Sequence, residues 1–352
     1  MTYKSRTVTF PKTRPSRHRG AADWFLLGMI AAVVLASLAP SIGKSGGLLH
    51  LDRVGDVGIF LLFFLHGMGM STESLLHGAS RWRLHLLVQV CTFVLFPLWW
   101  LALRAVFGPY VEPDLQLGFF YLAALPSTVS SSVAMTALAR GNVAAAVLNA
   151  TLSTLLGVFL TPLLASLVIG TGSGGHAMDL GHTVMKVAQM LLLPFVLGQV
   201  MRRWWSEWFK RIKPVTNILD RGVILLIVFS SFSDSVADGL WTRHGPALLA
   251  YALVGAALFL FPMLWITRRI ATAMGFPVED EIVAVFCGSK KTVASGVPMA
   301  KLLFGGNPSM GVLVLPILFY HQMQLFVCSI LARRYAARQD QAGSVKTVST
   351  PV

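Results

Sequence analysis

Charge is scarce in this 352-residue chain. Asp, Glu, Lys and Arg make up 12% of it, against 55% hydrophobic residues and a mean hydropathy of +0.67. A soluble domain carries about twice that charged fraction. So little charge cannot cover a water-facing surface, which excludes a soluble enzyme and leaves lipid to face the apolar excess. Cysteine is rarer still. Cys91, Cys287 and Cys328 lie far apart within apolar segments, an odd number without metal-ligand spacing, so neither a disulfide framework nor a zinc site is expected. Catalytic signatures are missing too. There is no HExxH and no intramembrane aspartate pair, and Lys291-Thr292 lacks the glycines of a phosphate loop. No enzymatic activity and no resident cofactor are expected.

What is present is a series of ten apolar runs, near residues 24–38, 54–70, 84–107, 115–138, 143–169, 182–204, 219–236, 247–266, 282–304 and 310–332. Several approach the roughly 17 to 25 residues of a spanning helix. The net charge of +14 belongs to the segments between these runs and to the tails, the pattern of membrane orientation rather than of nucleic-acid binding. With a cytoplasmic N-terminus and ten alternating helices, 21 of the 29 basic residues fall inside, among them Lys4, Arg6, Arg81, Arg83, Arg140, Arg202, Arg203, Lys210, Arg211, Arg268, Arg269 and Arg334. Five, Lys44, Arg53, Arg104, Arg243 and Lys301, fall outside, and Lys186, Lys290 and Lys291 lie in or near spans. This asymmetry predicts both termini in the cytoplasm of a bacterial inner membrane. The basic start ahead of Trp24 reads as an anchor for the first helix rather than as a cleaved signal peptide.

The chain also repeats itself. Leu95-Phe96-Pro97 with Trp100 recurs as Leu260-Phe261-Pro262 with Trp265, and Thr128-Val129 with Ser131 recurs as Thr292-Val293 with Ser295. Gly141-Asn142 recurs as Gly306-Asn307, and Leu51-Asp52-Arg53 as Leu219-Asp220-Arg221, the four offsets lying between 164 and 168 residues. Two halves of five helices each enter the membrane from opposite faces, so the repeats are inverted, the usual build of secondary carriers. The expected architecture is an all-α polytopic protein of ten transmembrane helices. Residues 1–21 and 339–352 form cytoplasmic tails around a transporter domain of 22–338, with repeat one at about 22–170 and repeat two at about 181–338.

In such carriers the site forms where paired helices are interrupted and expose backbone groups. The fourth run carries Pro126 followed by Ser127, Thr128, Ser130, Ser131 and Ser132; the ninth carries Gly288, Ser289, Lys290, Lys291, Thr292, Ser295, Gly296 and Pro298. Both are expected to unwind and cross, although small hydroxyl residues also suit simple helix packing. A charge at the bilayer centre costs about 2.5–3.5 kcal/mol even on a lenient scale, so the two lysines mark function. Helical geometry separates neighbours by about 100°, so the two are not expected to face the same site. At least one of them is expected to point into the core, reaching the break in the fourth run and Gln322 or Gln324. Asn149, Thr151 and Ser153 of the fifth run and His321, Gln322 and Gln324 of the tenth complete the candidate set. His66 is read as a structural histidine with a satisfied hydrogen bond, Asp56 and Asp234 as wetted at span ends, and the predicted core as free of carboxylates.

At these segments the sequence resembles the bile acid:sodium symporter superfamily, most closely its SBF-like branch of cation:proton-antiporter-type transporters. The resemblance rests on Ala139-Arg140-Gly141-Asn142, on Asn149 to Pro162 (NATLSTLLGVFLTP), on Phe286-Cys287-Gly288-Ser289-Lys290-Lys291-Thr292 and on Phe319-Tyr320-His321-Gln322-Met323-Gln324-Leu325. It implies a core domain built on discontinuous crossing helices 4 and 9, and a panel of helices 1, 2, 6 and 7 that rocks against it. It also implies a sodium ion near Ser132. Two hydroxyl positions of helix 5 are alanines here, Ala146 and Ala150, and a lysine stands about where a glutamine ligand would be. A fixed ammonium would repel a nearby cation, replace it, or attract an anion. The expected function is secondary transport of a small organic anion, with sodium or a proton as coupling ion. A transport-inactive membrane sensor or scaffold is the alternative. The lipid bilayer is the only macroscopic partner implied; substrate identity and oligomeric state are not legible in the chain.

Overall fold

The computed structural model describes residues 19–44, 46–47, 50–69, 81–172, 180–239, 242, 245, 247–304 and 307–348. The basic tail ahead of Arg19, the connection at 173–179 and Gly306 lie outside these residues. Among the described residues there are helices and no strand. In chain order they are α1 (Arg19–Leu38), α2 (Pro40–Gly43), α3 (Leu51–Gly69), α4 (Trp82–Val90), a π-helical turn (Cys91–Leu95), α5 (Phe96–Phe107), α6 (Pro113–Ala124), α7 (Ser130–Leu138), α8 (Val143–Gly172), α9 (Leu180–Ala237), α10 (Ala247–Ala273), α11 (Val278–Gly288), α12 (Gly296–Phe304) and α13 (Met310–Val348). Among the described residues, four helical stretches are long and apolar enough to cross a membrane: Trp82–Tyr110, Val143–Val168, Ala247–Ala273 and Met310–Arg338.

Large apolar side chains line the outside of these helices as well as the core. On α8 the exposed residues include Phe159, Leu163 and Leu167, and on α10 they include Tyr251, Val254, Leu258, Phe261 and Trp265. Spacings of three and four residues put each of these sets on one helical face. Water would not tolerate such stripes, whereas hydrocarbon does. The chain is a multi-pass membrane protein.

Runs six and seven, expected as separate helices, lie in one helical stretch, α9. A straight helix of its 58 residues would measure about 87 Å. Its two limbs nonetheless reach the same short partner, α3. A Cβ at Gly67 would sit 2.1 Å from the Phe195 carbonyl oxygen, and one at Gly198 2.1 Å from that of Phe64. Further along, Val223 touches Gly58, and Leu226 and Ile227 touch Gly55. Asp220 stands beside His66, one residue from Gly67. Phe195 and Asp220, 25 residues apart, therefore meet one end of α3. The stretch must double back between them, through a segment rich in Arg and Lys. Glycines on both sides allow the backbones this approach.

Two broken helices occupy the middle of the fold. The fourth run divides into α6 and α7 around a non-helical Leu125–Val129, and the ninth into α11 and α12 around Ser289–Ser295. The Ala139-Arg140-Gly141-Asn142 segment fixes where these pieces end. Arg140 adopts φ 60°, its amide donates to Ala137 O, and the Gly141 amide donates to Thr136 O, which closes α7 with a Schellman motif. Asn142 then caps α8 by accepting from the Ala145 amide through Oδ1. It also bonds α11, through Asp280 Oδ1 and Glu279 O.

Run nine was expected to begin at Ile282, with no carboxylate inside. Instead α11 begins at Val278 and buries Asp280 and Glu281 in its first turn. Their charges are matched locally: Arg81 donates to Asp280, while Arg268, Thr272 and Tyr335 donate to Glu281. Carboxylates also suit the positive end of a helix. At the other extremity α13 continues past the expected span to Val348.

Candidate functional site

The two breaks touch through the backbone. The Thr292 amide donates to the Pro126 carbonyl oxygen at 3.1 Å, so the unwound centre of one broken helix completes the other. The last carbonyls of α6 have no donors within the helix, and each needs a partner from elsewhere. Leu122 O accepts from the Leu125 amide and Ala124 O from the Thr161 hydroxyl. Ala123 O and Leu125 O both accept from Lys291 Nζ, at 2.7 Å. A Cβ at Gly157 would stand 2.6 Å from the Pro126 ring, so α8 packs against this break only because it has no side chain there.

Lys291 has a third partner, Thr92 O at 2.8 Å, and the π-helical turn explains why that carbonyl is free. The Phe96 amide reaches back five residues to Cys91 O instead of four to Thr92 O. The next residue is Pro97, which has no N–H to offer. The Phe96 ring lies 4.0 Å from Nζ, close enough for a cation–π contact. Three acceptors around one amine nitrogen require three N–H donors, so this group is an ammonium. Its residue is 1% exposed. The peptide of Lys291 is held in turn by Gln324, whose Oε1 accepts from the Lys291 amide at 2.9 Å and whose Nε2 donates to its carbonyl at 2.7 Å.

Lys290 is equally buried and points elsewhere. Its Nζ donates to Ser131 O at 2.9 Å, in the first turn of α7, and lies 5.5 Å from the Phe286 ring. The two lysines were expected to part, with at least one turned inward; both are buried, and they reach different acceptors from a segment, Ser289 to Ser295, that is not helical. Lys290 donates to one carbonyl and Lys291 to three, and none of these partners is a carboxylate.

The other candidates divide. Ser132 Oγ donates to Phe286 O at 3.1 Å and lies 3.0 Å from Thr128 Oγ1, which is 2.7 Å from Ser131 Oγ. Ser289 bonds back to Val285 O, and its own carbonyl accepts from the Tyr320 hydroxyl at 2.5 Å. Ser153 Oγ accepts from the Ser127 amide, and Asn149 Nδ2 bonds Ala145 O within α8. Thr151 and Ser295 are buried near the breaks. His321 Nδ1 lies 3.0 Å from Gln324 Nε2 and edge-on to Phe25 of α1. Ser130 is exposed, and Gln322 turns towards Met29 of α1, away from the crossing.

His66 does not make the hydrogen bond expected of it. Its Nε2 stands 3.7 Å from Asp220 Oδ2, and its Nδ1 is buried without a partner among the described residues. Asp56 is exposed, in keeping with a wetted position, and bonds Lys301. The three cysteines are free and buried.

Gln89, Thr92, Tyr121 and Tyr320 escaped the reading of the sequence. Tyr121 donates to Gly296 O at 2.7 Å, tying α6 to the start of α12, and Gln89 Nε2 donates to Asn149 O. Gln89 and Thr92 carry a signal: two polar residues in an apolar run, shortly before a proline. Ser127 Oγ, Asn149 Oδ1 and Gln89 Oε1 belong to the buried acceptors without partners among the described residues.

Among the described residues no group of three or more His, Cys, Asp or Glu is placed to hold a metal ion. The sodium ion that the resemblance implies near Ser132 finds that hydroxyl engaged between Thr128 and Phe286, and the carbonyls at the end of α6 are taken by Lys291. With Lys291 in place these residues do not fit an alkali ion.

Residues 23–337 match the model of the SBF-like CPA transporter family. The Pseudomonas aeruginosa protein PA2026 is 48% identical over 330 residues, 94% of this chain and 97% of that protein. YfeH of Escherichia coli K12, whose name marks it provisionally as a symporter, is 41% identical over 91% of this chain and 94% of its own. The mouse sodium/bile acid cotransporter 7 is 29% identical over 89% and 92% of the two chains.

Proposed function

This chain belongs to the SBF-like CPA transporter family, and on that premise we propose that it is a secondary carrier of a small organic anion. It works by alternating access at the crossing of its two broken helices. The observation that carries the reading is the crossing itself. Two breaks are joined by Thr292 and Pro126, with two buried lysines and no carboxylate among their bonded partners. A site so constituted favours an anion by Coulomb attraction, strongest where water is absent. Lys290 uses a single carbonyl acceptor and keeps donors for a solute carboxylate or sulfonate, whereas Lys291 is saturated. Ser127 and Asn149, with unpartnered oxygens, complete the polar lining.

The finer architecture belongs to the same proposal. Ten spans in two inverted repeats agree with breaks at Thr128 and Thr292, 164 residues apart. The distribution of basic residues supports a reading with both termini in the cytoplasm of a bacterial inner membrane. In that orientation Asp56 and Lys301 meet on the outer side, where α3 touches α12. Ser235 of α9 joins α13 near the same end, accepting from the Gly311 amide and donating to Pro308 O. These contacts link the moving panel to the core.

Uptake by proteoliposomes tests the function. Labelled taurocholate and short mono- and dicarboxylates are offered with sodium and pH gradients applied separately. At least one anion accumulates against its gradient, and Lys290→Met lowers that uptake about tenfold or more, the loss of one charge-assisted bond. No accumulation of any anion, or full activity in Lys290→Met, would overturn the proposal.

A further inference from the structure

The carbonyls around Lys291 form a cation site of three backbone oxygens from two separate elements. Thr92 O comes from the π-helical turn, and Ala123 O and Leu125 O come from the end of α6. Carbonyl oxygens freed from helical bonding, converging at the negative end of a helix, are what a bare alkali ion requires. Each element of the cluster is made by a local feature of sequence. Pro97 and the shifted Phe96 amide vacate Thr92 O, and Pro126 ends α6. Phe96 adds a ring face at 4.0 Å, which attracts cations and offers nothing to anions. Nothing in a merely structural lysine requires a dedicated π-turn, a helix end and a glutamine clamp on its own peptide.

The geometry points to Lys291 as a tethered cation: its ammonium permanently fills, from within the chain, a site built for a small monovalent cation. Tethering removes the entropy of capturing a free ion, so the site is full at any external salt. Two consequences follow. The crossing needs no alkali ion at this cluster to hold the ends of the broken helices together. Shortening the side chain vacates a cage of three unpaired carbonyls, which then takes a cation from solution. The second consequence holds whether or not the protein transports an anion; the first bears on coupling and rests on the carrier reading.

The test is thermal unfolding of the full-length protein in detergent. Wild type and Lys291→Ala are compared in sodium, potassium, methylammonium and choline chloride at equal ionic strength. Lys291→Ala loses about 5 °C or more in choline. It regains at least half of that loss in sodium or methylammonium, a gain larger than wild type shows between the same salts. Methylammonium returns the lost end of the side chain, and choline is too large to enter. Equal salt responses of variant and wild type, or no loss in the variant, would overturn the inference. If Lys291→Ala folds only when prepared in methylammonium, that is the same rescue. If it folds in none of the salts, Lys291→Gln decides: two neutral donors leave the protein about 5 °C below wild type, and a Tm equal to wild type would overturn the assignment. Failure of the anion-uptake assay leaves each of these outcomes readable, so the two proposals fail separately.

Discussion

At the scale of single residues, the distinction that matters is between side chains that hold the crossing and side chains left with capacity to spare. Gln324 belongs to the first kind, since both ends of its amide are spent on the Lys291 peptide. Gln324→Leu leaves a buried N–H and C=O unpaired, each costing about 1–3 kcal/mol, and is expected to lower stability by about 2–5 kcal/mol in a thermal melt. Ser127 belongs to the second kind. Its hydroxyl is buried and has no partner among the described residues, so Ser127→Ala is expected to leave the melting temperature within about 1 °C of wild type. On its proposed role in receiving the solute, uptake falls nonetheless. A large loss of stability with unchanged uptake would assign Ser127 to the scaffold. The lysines were legible as residues out of place in an apolar run. Their partners were not, because backbone carbonyls leave no letter in a sequence. Thr92 O becomes available only through the combination of a π-turn and Pro97.

At the scale of elements, prolines, glycines and hydroxyls marked the two segments that unwind, and the length of the apolar runs marked α8, α10 and α13. The same reasoning expected Lys290 and Lys291 to diverge, which they do from non-helical backbone, Lys290 to Ser131 O and Lys291 to the carbonyls of Thr92, Ala123 and Leu125. It also separated runs six and seven at their polar connection, whereas the backbone stays helical through that connection and doubles back along α3. Hydropathy registers where charge accumulates, not whether the chain between two runs remains helical. Packing of α8 onto the first break rests on Gly157, where a Cβ would stand 2.6 Å from Pro126. Gly157→Val is expected to push the break away from α8 and cost about 1–3 kcal/mol, read from thermal unfolding. If stability is unchanged, α8 does not brace the break.

At the scale of the whole molecule, the account requires that α3 and α9 move against the core on each cycle. The Lys301–Asp56 contact at 2.9 Å spans that boundary. Its carboxylate is 65% exposed, so it contributes at most about 1 kcal/mol to folding. The pair is therefore suited to being broken and remade, and it provides a handle on the motion. The native cysteines are buried, so a pair introduced at Asp56→Cys and Lys301→Cys can be bridged selectively by a reducible bis-methanethiosulfonate reagent, which spans the gap the lysine side chain now covers. The deciding measurement is anion uptake by proteoliposomes containing this double variant, before cross-linking, after it, and after reduction. Alternating access predicts that the cross-link abolishes uptake and that reduction restores it. Uptake at the full rate with the cross-link in place would contradict the account.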